Sequence, residues 1–127
     1  MALFRFRTRS PGRDSATDES RRQRLQQLLD TLNAEIEAER NGLRNRYDKI
    51  VADAAFSQQA LEQKSAGDDI SSRIDELTGA MMRYTERLSA LDRQSAFVTE
   101  MHSRLEAFFR ENTRFADSGR NPGAKPE

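Results

Sequence analysis

Residues 70–109, ISSRIDELTGAMMRYTERLSALDRQSAFVTEMHSRLEAFF, decide the fold. Ile70, Leu77, Tyr84, Leu91, Val98 and Leu105 recur every seventh position. Ile74, Met81, Leu88, Ser95, His102 and Phe109 recur at the same interval between them. In a heptad lettered a to g, the second set is a and the first is d. Spacings of three and four keep both sets on one stripe of an α-helix, and such a stripe is stable only when it faces another helix. The chain is therefore built to pair, with itself or with another protein.

Upstream, residues 18–64 read as a first helix with apolar side chains at Leu25, Leu28, Leu29, Leu32, Ile36, Leu43, Tyr47, Ile50, Val51, Ala54 and Leu61. These fit an eleven-residue spacing better than a heptad: Leu25, Ile36, Tyr47; Leu28, Ile50, Leu61; Leu32, Leu43, Ala54. That period predicts a nearly straight or slightly right-handed helix. Asn41-Gly42 is a turn dipeptide. It raises an alternative of three helices broken at this point. The apolar stripe runs through in phase, so a continuous helix is the favoured reading, at a glycine cost of about 1 kcal/mol.

Ser65-Ala66-Gly67-Asp68 marks the clearest boundary, with Gly67 suited to a left-handed position after a helix. Asp68 or Asp69 is suited to cap the next helix, expected over 69–117. The fold class is thus all-α: a long antiparallel two-helix hairpin, coiled-coil-like, completed into a bundle by self-association. A turn at 65–68 sets Ile36 near Phe97, Leu43 near Ala90 and Leu25 near Phe108. Residues 1–17 read as a basic disordered arm and 118–127 as a loose tail.

Composition agrees. Of the 127 residues 33% are charged and 35% hydrophobic, and the mean hydropathy is -0.89, the balance of long amphipathic helices with wet outer faces. The 21 basic and 21 acidic residues cancel, which argues against a nucleic-acid binder. The cancellation is uneven, since Arg5, Arg7, Arg9 and Arg13 face Asp14 alone in the arm while the helical body is mildly acidic. Arginine outnumbers lysine heavily, which we read as a genome-composition effect. The chain has no cysteine, so disulfides, thiolate metal sites and cysteine nucleophiles are excluded. It carries no long apolar run and no apolar leader, and a cytoplasmic protein is expected.

Catalytic signals are missing, and no enzyme activity and no cofactor are expected. The single histidine, His102, has Glu106 one turn on, and Glu35 and Glu39 share a face of the first helix. A helical di-metal centre needs a second histidine, which does not exist. At an a position beside Ser95, His102 instead reads as an edge-of-stripe residue with a water or carboxylate partner, with register specification as the sharper alternative.

Towards its C-terminal end the second helix widens. Met101, Phe108 and Phe115 occupy g positions beside the stripe, and Phe97 lies outside it. The expected partner or oligomer interface is therefore Ile74, Leu77, Met81, Tyr84, Leu88, Leu91, Val98, Met101, His102, Leu105, Phe108, Phe109 and Phe115. The function expected from this is a non-enzymatic scaffold or adaptor that mediates protein–protein association, as a homodimer or hetero-complex. A chaperone-like module holding a client helix on the phenylalanine-rich end is one alternative. A second is attachment to an anionic membrane surface through residues 1–13, with Phe4, Arg5, Phe6, Arg7 and Arg9 as the contacts.

Overall fold

The computed structural model describes residues 10–63 and 67–119, with the side chains of 115–119 outside the description. The arm residues Phe4, Arg5, Phe6, Arg7 and Arg9, the turn residues Ser65 and Ala66, and the tail from 120 onward lie outside the described residues. Two α-helices make up the fold: α1, Pro11–Glu62, and α2, Asp68–Gly119. They pack against each other antiparallel as an all-α hairpin, with Asp53 bonded to Arg73 and Glu39 to Arg87, so that numbers rise along one helix as they fall along the other.

α1 starts at Pro11, seven residues before the expected Asp18. Proline is suited to the first helical position because its fixed φ matches the helix and its missing N–H would have had no partner there. Ser10 supplies the cap, its Oγ accepting from the Arg13 amide at 3.4 Å. Residues 11–17, expected in the arm, are therefore helical.

α1 passes through Asn41-Gly42 without a break, which removes the three-helix alternative. Gly42 lies on the outer face, with open space where a Cβ would stand. Gly42→Ala is accordingly expected to stabilise the fold by about 1 kcal/mol. A thermal melt followed by circular dichroism checks this, and an unchanged or lowered midpoint would refute it.

Gly67 does not adopt the left-handed conformation. Its carbonyl accepts from the Ile70 amide at 3.2 Å, which places it at the start of α2 rather than past the end of α1. Asp68 and Asp69 occupy the first turn of α2, where the helix dipole favours negative charge.

The α2 heptad is reproduced in the burial. At d positions Leu77, Leu91, Val98 and Leu105 are buried, and Ile70 and Tyr84 half-buried. All six a positions, Ile74 to Phe109, are half-buried. Leu91 is fully enclosed, at 0% exposure.

The eleven-residue spacing proposed for α1 is not what the structure uses. Its inward line is a heptad: Leu29, Ile36 and Leu43 are buried, and Arg22, Ile50 and Ser57 continue the same seven-residue series half-buried. A second series, four residues after the first, holds Gln26, Arg40, Tyr47, Ala54 and Leu61, all half-buried, with Asn33 exposed. Those polar members hide the heptad in the sequence. Leu25, Leu28 and Leu32, which suggested the longer period, stay exposed.

The hairpin divides into two compact units, Met1–Thr31 with Thr99–Glu127 and Leu32–Val98. The first, the open end, has Leu29 and Leu105 as its buried core. The second, the turn-side unit, is built on Ile36, Leu43, Leu77, Leu91 and Val98.

Candidate interaction surfaces

In the turn-side unit the flank is stitched by ion pairs at g positions. Arg87 donates from Nε to Glu39 Oε2 at 2.7 Å and from a terminal nitrogen to Oε1 at 3.1 Å, a two-pronged contact. One end of the same line pairs Arg73 with Asp53 at 3.4 Å. Neither pair was read from the sequence. The signal in the sequence is two acidic residues fourteen apart on α1, Glu39 and Asp53, and two arginines fourteen apart on α2, Arg73 and Arg87, which meet in antiparallel order.

The Arg87 hydrogen bonds hold the Glu39 carboxyl below its ordinary value of 4.5, and the same contact raises Arg87. A carboxyl depressed in the folded state adds stability above its unfolded value and loses it as pH falls through the folded value. Glu39→Gln is therefore expected to lower the melting midpoint modestly at neutral pH, since the pair is exposed. That deficit should shrink as pH drops below 4.5. Melts of parent and variant across this range test the sign, and a constant deficit would contradict it.

Arg40 sits at an inward position of α1, mostly buried. It donates to Glu37 at 2.7 Å on its own helix and to Asp92 at 2.9 Å on α2. Its Nε is buried with no acceptor. Such a group favours one alignment of the helices at some cost in stability.

In the open-end unit His102 plays the corresponding part. Its Nε2 lies 2.9 Å from Asp30 Oδ1, so the half-buried histidine finds its carboxylate partner on α1. Arg22 stands over the Phe109 ring, 5.8 Å from its centroid. Phe108 meets Phe109 edge to face at 5.2 Å, yet remains 56% exposed. Leu25 and Leu28 of the same unit are 45% and 54% exposed. Met101 is half-buried.

The thirteen residues expected at a partner interface thus divide. Leu77, Leu91, Val98 and Leu105 are spent on the hairpin's own core. Ile74, Met81, Tyr84, Leu88, Met101, His102 and Phe109 are half-covered by it. Phe108 stands open, and the Phe115 side chain lies outside the described residues. Leu25 and Leu28, which lie on the apolar line expected for the first helix, join the open set instead. In the turn-side unit Leu32 and Phe97 are also exposed.

Among the described residues no three His, Cys, Asp or Glu side chains converge where a metal ion could sit, and no helix is long and apolar enough to cross a membrane. Compared with family models, curated proteins and solved structures, the chain matches none.

Proposed function

We propose that the protein is a non-enzymatic association module, a helical hairpin that assembles with further helices and serves as a scaffold or adaptor. The observation that carries this reading is the exposure of Leu25, Leu28 and Phe108 in the open-end unit. Single exposed leucines are ordinary on protein surfaces. Two leucines one turn apart on α1, in a unit whose α2 segment also offers an open phenylalanine, supply exposed apolar area of the kind a helix partner covers.

Self-association is the simplest way to cover that surface, because two copies bring the same patch together about a twofold axis. Absolute mass by light scattering after size exclusion, over a concentration series of the full chain, tests it. A dimer or larger species at micromolar concentration supports self-association. A monomer throughout rejects it in favour of a different partner chain.

A second reading, a chaperone-like groove for a client helix, draws on the same Phe108. It predicts strong binding of a dye that reports exposed apolar surface to the purified, folded chain. Absence of dye binding argues for a closed assembly. Attachment to a membrane surface would rest on residues 1–13 alone, and co-sedimentation with anionic vesicles, with and without those residues, tests it.

A further inference from the structure

The ion-paired flank of the turn-side unit has a gap. Glu39 faces Arg87, and two heptads further along α1 Asp53 faces Arg73. One heptad from each, the same register sets Arg46 opposite Ala80. An acidic side chain at residue 80 would complete the pattern, and alanine leaves Arg46 without a counter-charge. Arg46, Lys49 one turn beyond it, and Arg83 are all exposed, and among the described residues none has an ion pair.

The short alanine also leaves a hollow. A cavity of about 300 Å³ opens here, lined by Leu43, Ala80, Arg83, Tyr84 and Arg87. Its apolar lining comes from buried Leu43 and half-buried Ala80 and Tyr84. Arg87 on its wall is committed to Glu39, whereas Arg83 is uncommitted.

We infer that this notch is a binding site for an acidic peptide segment with an apolar anchor: a leucine-sized side chain enters the hollow while a neighbouring carboxylate bridges Arg46 and Arg83. Apolar contact alone would not select a ligand, and the cations alone would hold any anion loosely. Together they ask for both features in one ligand. The site is distinct from the open-end patch and does not rest on self-association.

Nuclear magnetic resonance titration of the labelled full chain with the capped peptide acetyl-Glu-Leu-Glu-amide tests the inference. Saturable shifts at the Ala80 and Tyr84 amides are expected, with a Kd on the order of 1 mM for so small a probe. Acetyl-Gln-Leu-Gln-amide and inorganic phosphate should each bind about tenfold more weakly or not at all. Ala80→Glu puts a carboxylate opposite Arg46 and fills the hollow. It should keep the helical spectrum, raise the melting midpoint slightly and weaken the peptide about tenfold; Arg46→Glu should keep the helical spectrum and weaken the peptide about tenfold as well.

No saturable shift with the acidic peptide overturns the proposal. So does equal binding of the neutral peptide, which would mean a bare apolar crevice, or of phosphate, which would mean a bare cation cluster. Undiminished binding to a folded Ala80→Glu variant would place the peptide elsewhere and overturns it as well. None of these outcomes depends on the oligomeric state that tests the association reading.

Discussion

Leu91→Ala should cost the fold about 2–5 kcal/mol, more than any other single truncation of an apolar side chain. Among the described residues Leu91 is the one side chain with no exposed surface, and it sits at a d position midway along α2. Truncation removes buried methyl groups and leaves a hole in the stripe between the helices. Small domains are stable by about 5–15 kcal/mol in total, so the loss takes a large share of what holds the helices together. Thermal and urea melts followed by circular dichroism measure it. Phe97→Ala is the control: it removes a larger side chain, but one already 59% exposed, and should change stability by about 0.5 kcal/mol or less. Equal costs at the two positions would mean that the d line of α2 is not the core.

The second large effect concerns assembly. With Leu28 and Phe108 both replaced by glutamate, the light-scattering mass should fall to that of a single chain at concentrations where the parent associates. Each apolar side chain buried in a contact contributes about 1.5–3 kcal/mol, and in a twofold interface each counts once per copy. The association constant should drop by more than about a hundredfold. Helical content should hold, because both positions are more than half exposed in the hairpin itself. An unchanged mass would show that copies meet through another surface. Loss of helix would show that these side chains belong to the fold.

α2 was legible in the sequence because apolar residues fill nearly every a and d position, and the exceptions, Ser95 and His102, are few enough not to blur the period. α1 was not legible to the same degree. Four of the eleven covered positions on its two inward series are Arg22, Gln26, Arg40 and Ser57, side chains a hydrophobic pattern does not count. Three leucines meanwhile stand off the line and suggest a false spacing. The helix start was missed for a local reason: Ser10-Pro11-Gly12 carries turn residues, yet Ser10 and Pro11 in that order also make a cap and a first turn.

Of the interaction surface, the broad apolar end of α2 was visible as a pattern. Its division into core and open residues was not, because that depends on which flank α1 covers. The flank ion pairs and the notch at Ala80 could be found only once the register between the helices was known.

The empty layer at Arg46 and Ala80 also bears on how the two helices find their alignment. A heptad stripe is nearly indifferent to sliding, since a shift of seven residues returns apolar side chains to apolar surroundings. Here a slide of one heptad in either direction brings Arg46 against Arg73 or against Arg87, and in both cases strips Glu39 of its arginine. Competing alignments are penalised by repulsion between like charges as well as by the loss of attraction. The layer with no bond of its own thus works as a keyway that rejects the neighbouring registers, and a folding chain has fewer wrong alignments in which to become trapped.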